Sequence, residues 1–152
     1  TSVNVADLAK LLGEHRRRDL ETKSTHKLNG MLHGFIDLLF EYKGKYYVAD
    51  YKSNYLGDSL EEYNSDAMTQ AIEAHDYDLQ YLIYSWALHQ MLSQRLQNYS
   101  FAEHFGGVYY FFLRGMSRSG PDMSGIYQRQ ITSEEMEILT QIFDTSKTGD
   151  SA

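Results

Sequence analysis

Asp37, Asp50 and Lys52 are the residues whose types and spacing could do chemistry: an aspartate, then Asp-x-Lys about a dozen residues later. Two carboxylates can hold a hard divalent cation such as Mg²⁺, which takes one or two carboxylates and leaves its other positions to water and phosphate oxygens. Such a cation polarises a phosphate and lowers the pKa of a bound water. A nearby lysine positions or deprotonates that water and offsets charge on the pentavalent phosphorane. The trio is therefore a minimal set for cleaving a phosphodiester. By itself Asp-x-Lys is a weak motif, and a structural Asp–Lys pair at a sheet edge is the competing reading.

The stretch that must position these residues runs from Gly34 to Lys52 and reads GFIDLLFEYKGKYYVADYK. Apolar, β-branched and aromatic runs flank Lys43-Gly44, where glycine can supply the positive φ of a tight hairpin turn. With those two residues as the loop, Tyr42 faces Lys45, Phe40 faces Tyr47 and Asp37 faces Asp50. Residues two apart on a strand share a face, so Lys52 joins both aspartates there. Like charges directly opposite each other cost about 0.2–1 kcal/mol, and more when partly buried. A positive group must lie between them, either Lys52 or a divalent cation. A three-residue loop would send one aspartate to the other face of the sheet.

The chain has 152 residues, 42% hydrophobic and 14% aromatic, the profile of about one soluble domain with a real core. No apolar run is long enough for a membrane span, and no leader pattern is visible. The absence of cysteine excludes disulfides, zinc-thiolate sites and cysteine nucleophiles, and is compatible with a reducing cytoplasm. A formal net charge of -7 argues against a free-standing nucleic-acid binder. It leaves a nuclease open, because metal-holding carboxylates add to the negative count. The chain begins at Thr1, and the reading expects a piece of a larger protein or a processed one.

Val5 to Arg18 carries Leu8, Leu11 and Leu12 at helical spacing, with Arg16-Arg17-Arg18 near the end that favours cations. The arginines either touch phosphate or form a solvated end. Residues 27–33 read as a strand. Ser53 to Ser59 is a turn-rich loop, and Ser65 or Asn64 caps a helix from Asp66 to about Gln97, which contains no glycine or proline. On it Tyr77, Gln80 and Tyr84 share one line, either at a core edge with wet hydroxyls or facing a substrate. Gly106 to Arg114 reads as a strand buried on both faces. Met116 to Ser124 is a loop, the likeliest disordered segment apart from the termini. Gly125 to Ile131 is a short strand, Ser133 caps a last helix through Phe143, and residues 145–152 form a flexible polar tail after a domain of 1–144. The order predicts a mixed α/β sheet flanked by helices on both faces.

Four blocks in order make the reading specific. GMLHGFID from Gly30, YYVADYKSNYLG from Tyr46, AHDYDLQY from Ala74 and HFGGVYYFFLRG from His104 closely resemble the C-terminal nuclease domain of RecB subunits (exonuclease V beta chain) of bacterial RecBCD helicase-nucleases. The resemblance covers about Lys23 to Phe143. It implies the restriction-endonuclease-like PD-(D/E)xK fold and Mg²⁺-dependent cleavage of DNA, with Mn²⁺ or Ca²⁺ able to substitute in binding. It also implies a bacterial, cytoplasmic role in double-strand break repair by homologous recombination, with RecC, RecD and the RecA recombinase as partners and no membrane. ATP would serve only a helicase part outside this chain.

Carried across, the resemblance makes Asp37 and Asp50 metal ligands, adds the Tyr51 backbone carbonyl as a further ligand, and makes Lys52 the catalytic lysine. Tyr77, Gln80 and Tyr84 fall on the family's Tyr-x-x-Gln-x-x-x-Tyr motif beside the active site and DNA. The family also has a metal-binding histidine well before the first aspartate. No position before Leu28 resembles that segment, and His15, His26 and His33 do not match it. The expectation is a nuclease domain lacking its N-terminal part, with a docking module for RecA and RecC as the alternative if the isolated chain proves inactive.

Overall fold

β1 (Leu38–Tyr42) turns through Lys43 and Gly44 into β2 (Lys45–Lys52). Both turn residues have positive φ, 50° and 79°, which is the backbone of a primed two-residue hairpin turn. Nothing lies within 4 Å of a Cβ placed on Gly44, so its backbone angle, not crowding, favours glycine there. Tyr42 pairs with Lys45, Phe40 with Tyr47 and Leu38 with Ala49, the register expected of a two-residue loop. This computed structural model describes residues 38–148, with side chains through Asp144. Asp37 and its expected pairing with Asp50 lie outside the described residues, as do the helix expected from Val5 and the strand over 27–33.

β3 (Phe105–Phe112) runs parallel to β2, and β4 (Ile126–Arg129) runs antiparallel to β3, giving the order β1-β2-β3-β4. The sheet is mixed, as expected. Parallel neighbours need a long crossover, and here it contains a 3₁₀ turn (Leu60–Glu62), α1 (Ser65–Ala74), α2 (Tyr77–Arg95) and the short α3 (Phe101–His104). As an inner strand, β3 has no solvent edge, and Val108, Tyr110 and Phe112 are fully buried. Its register slips between Tyr46↔Phe105 and Tyr47↔Gly107, leaving Gly106 as a bulge. A Cβ on Gly106 would stand 2.4 Å from the Tyr47 ring, so glycine makes room for that ring to stack on Phe40 at 4.9 Å.

The expected single helix from Asp66 is two. Asn64 caps α1 by accepting the Ala67 N–H at 2.9 Å, worth about 1 kcal/mol. The chain then breaks at Asp76, which takes the left-handed conformation (φ 57°, ψ 29°) and precedes α2. Aspartate is one of the few non-glycine residues that visit this region, because its short polar side chain can bond locally. A search for glycine and proline misses such a break.

The described residues fall into two compact units, the first ending at Gln130 and the second beginning at Ile131, where composition suggested about one domain. The second unit holds α4 (Ser133–Thr148), the next helix in the chain after α3. Its cap is Thr132, one residue before the expected Ser133. The Thr132 Oγ1 accepts the Glu135 N–H and the Glu135 carboxylate accepts the Thr132 N–H, both at 3.1 Å, a reciprocal capping box. Met136, Leu139 and Phe143 form its buried stripe. The helix continues to Thr148, into the stretch read as tail.

Candidate functional site

Val48, Asp50 and Lys52 share one face of β2, and Val108, Tyr110 and Phe112 share one face of β3. Asp50 is the direct neighbour of Tyr110 in the parallel register, and both belong to the face where α2 packs. Asp50 is 5% exposed. Its Oδ2 lies 2.8 Å from the Lys52 Nζ, and its Oδ1 accepts the Tyr51 N–H at 2.8 Å.

The ammonium of Lys52 also donates to Gln80 Oε1 at 3.1 Å and lies 3.8 Å from the centre of the Tyr77 ring. The Tyr110 hydroxyl donates to the same Gln80 oxygen at 2.8 Å, with the Tyr77 carbonyl 3.2 Å away. Gln80 Nε2 donates to the Tyr84 hydroxyl at 3.4 Å, and the Tyr77 hydroxyl donates to Asn54 Oδ1 at 3.2 Å. Burial, and then the negative charge of Asp50, push the Tyr110 phenol well above its usual range. It stays a neutral donor.

Taking an ion pair out of water carries a penalty of several kcal/mol per ion, offset only when the remaining valences are met. The side chains of Lys52 and Asp50 are 11% and 7% exposed, and both have such partners: an amide for the carboxylate, and a carbonyl oxygen and an aromatic face for the ammonium. A desolvated cation–π contact of this kind contributes about 2 kcal/mol.

Of the residues singled out from sequence, Asp50, Lys52, Tyr77, Gln80 and Tyr84 come together here. The Tyr51 side chain does not: it is 54% exposed and its ring lies 5.7 Å from Phe111, so only its backbone borders the site. Sequence reasoning missed Tyr110 and Asn54. Asn54 stands two places after Lys52 in a loop read only as turn-rich. Tyr110 was hidden in an apolar run, its one signal being a hydroxyl where the pattern called for hydrocarbon.

Among the described residues no three His, Cys, Asp or Glu side chains gather as metal ligands. Asp50 nevertheless fits a hard cation as one carboxylate ligand. A carboxylate offers about four acceptor positions, and two are used by Lys52 and the Tyr51 amide. An ion that keeps water and phosphate oxygens as its other ligands needs little more from the protein.

A family model described as the PD-(D/E)XK nuclease superfamily matches residues 5–149. The chain belongs to that superfamily. Asp50-Tyr51-Lys52 has the spelling of the (D/E)XK element in its name, and the observed α/β architecture with a four-stranded mixed sheet accords with membership. Nucleases of the PD-(D/E)XK superfamily generally use divalent metal ions. Curated relatives carry the name RecBCD enzyme subunit RecB. The chain is 44% identical to that of Escherichia coli K12 over 117 residues, which is 77% of this chain and 10% of the relative. To that of Haemophilus influenzae it is 41% identical over 132 residues, 87% of this chain and 11% of the relative. To that of Mycobacterium tuberculosis H37Rv it is 37% identical over 126 residues, 75% and 12%. The resemblance to the RecB nuclease domain thus stands, and the chain spans about a tenth of the length of these relatives. Among the described residues no helix is long and apolar enough to cross a membrane.

Proposed function

We propose that this chain is the nuclease centre of a RecBCD-type helicase-nuclease, hydrolysing DNA phosphodiester bonds with Mg²⁺ during double-strand break repair by recombination. The observation that supports this most directly is the Lys52 ammonium, held by Asp50 and Gln80 in a nearly dry setting beside a carboxylate with spare acceptor positions. Asp50, Asp37 and the Tyr51 carbonyl would hold the metal. The described pair next to Asp37 on the turn side, Leu38↔Ala49, has the register that an Asp37–Asp50 pair requires. When bound, the metal supplies polarisation of the phosphate and a lowered pKa for the attacking water.

The protein's own residues do the rest. Asp50 and Gln80 each take one N–H of Lys52, which leaves a third to orient water or a phosphate oxygen. The fixed positive charge meets negative charge developing on the phosphorane, and it acts strongly because little water competes there. The Tyr77 ring covers the ammonium at 3.8 Å and excludes solvent from that side, while Tyr84 holds the far end of the Gln80 amide. RecC, RecD and RecA are the proposed protein partners, in a bacterial cytoplasm, and Mn²⁺ or Ca²⁺ is expected to bind where Mg²⁺ does.

Calorimetric titration with Mg²⁺, alongside a cleavage assay on linear DNA, tests the reading. Metal binding should weaken in Asp37→Ala and Asp50→Ala, and cleavage should be lost in Lys52→Ala. Metal binding that ignores both aspartates would refute the site. Capture of RecA by a chain that cleaves nothing in Mg²⁺ would instead favour a docking role.

A further inference from the structure

Tyr110 has no place in the pattern of carboxylates, lysine and helix motif, yet its side chain touches nearly every part of the site. Its ring meets Tyr77 edge-on at 5.9 Å and Tyr81 at 6.2 Å, and the Lys52 ammonium lies 5.1 Å from its centre. Its hydroxyl reaches Gln80 Oε1 at 2.8 Å, the same oxygen that accepts from Lys52 at 3.1 Å. Tyr110 is fully buried and its backbone is fixed in the central strand, so this hydroxyl cannot follow a moving partner.

The Gln80 side chain can present either its oxygen or its NH₂ to the lysine, and only the oxygen can accept from an ammonium. Two donors, Lys52 Nζ and Tyr110 Oη, converge on Oε1, while Nε2 points to the Tyr84 hydroxyl. A side chain held at both ends loses its choice. Were Lys52 the sole donor, its own motion would carry the amide with it. The Tyr110 hydroxyl anchors the amide to the sheet independently of the lysine.

We infer that Tyr110 is a positioning residue for Lys52: its hydroxyl locks the Gln80 amide with the carbonyl oxygen toward the ammonium, and its ring forms part of the surface beneath that ammonium. The inference rests on the proposed nuclease role for its effect on rate, but not for its effect on the lysine. Because burial keeps the phenol protonated, the donor persists across the pH range in which the protein would work. A merely structural tyrosine would fill the same volume, and removal of its hydroxyl would leave the lysine where it was.

The test uses the full 152-residue chain and the variants Tyr110→Phe, Gln80→Ala and their double. The first readout is the nuclear magnetic resonance signal of the Lys52 ammonium, slowed in rotation and proton exchange when its N–H groups are held. In Tyr110→Phe that signal should broaden or vanish into the free-lysine average, while thermal unfolding stays cooperative. The second readout is DNA cleavage: kcat should fall about ten- to hundredfold with KM unchanged, the usual consequence of loosening a group that orients a reacting one. The double variant should lose no more than Gln80→Ala alone, because the hydroxyl acts through the amide. A Lys52 signal indifferent to Tyr110→Phe, or additive losses in the double, would overturn the inference. If Tyr110→Phe does not fold, Gln80→Ala must release the same Lys52 signal, and failure to do so overturns it equally. Should the parent chain cleave nothing, the nuclease reading fails by itself, and the ammonium signal alone decides the positioning role.

Discussion

The two ends of α2 are built from similar residues and end in opposite states. At its N-terminal end Tyr77, Gln80 and Tyr84 converge with Tyr110 on a buried ion pair. At its C-terminal end His89, Tyr99, Phe101 and His104 form a cluster of comparable density. There the Tyr99 hydroxyl and His89 Nδ1 are hydrogen-bonded at 2.7 Å, His104 Nδ1 accepts the Ser100 N–H at 3.0 Å, and the rings pack edge-on or stacked. Burial lowers the pKa of His89 and pushes the Tyr99 phenol up to about 12, so both are neutral near pH 7. The described hydrogen bonds of this cluster close among neighbours. Titratable side chains packed together thus do not make a site. What distinguishes the N-terminal end is a retained charge with bonding capacity left over, on Asp50 and on Lys52.

The comparison breaks most visibly at Lys52. Lys52→Ala should lower DNA cleavage in Mg²⁺ by about 10²–10⁴-fold, the range for removing a group that handles protons or charge in the transition state, whereas His89→Ala should leave the rate near that of the parent. Equal losses would mean that the two ends cannot be told apart by charge. Asp50→Ala removes one member of a buried pair and strands an ammonium that is 11% exposed. Urea unfolding should show a loss of about 3 kcal/mol. A negligible loss would mean that water reaches the pair after all.

At the other end the effects should be those of ordinary neutral hydrogen bonds. Tyr99→Phe should cost about 1 kcal/mol in the same unfolding measurement and leave cleavage unchanged. The smallest effect is a pH dependence. The folded pKa of His89 lies below its usual value of about 6.5, so its contribution is present above pH ~6.5 and is lost as pH falls through the folded value. For Tyr99 the sign reverses: its contribution is complete below the usual value of about 10 and disappears as pH rises through about 12. Unfolding midpoints for the parent and for His89→Gln should converge at low pH. Parallel curves would assign the acid sensitivity elsewhere.

The local features that the sequence determined are those in which neighbours in the chain dictate the outcome. Gly44 after Lys43, between two alternating runs, sufficed for the turn and hence the register from Tyr42↔Lys45 to Leu38↔Ala49. Asn64 sufficed for the cap of α1. A side-chain period of two, and of 3.6 on the helix, put Asp50 with Lys52 and Tyr77 with Gln80 and Tyr84. The break at Asp76 was not legible, because a left-handed aspartate leaves no gap in a hydrophobic pattern and nothing nearby forbids a continuous helix. Nor was the alignment of Asp50 with Tyr110. Parallel register is set by the long crossover and by the bulge at Gly106, and residues sixty places apart carry no local trace of their pairing. Only the tertiary structure could therefore decide that the lysine, the glutamine and the central-strand tyrosine meet on one amide oxygen.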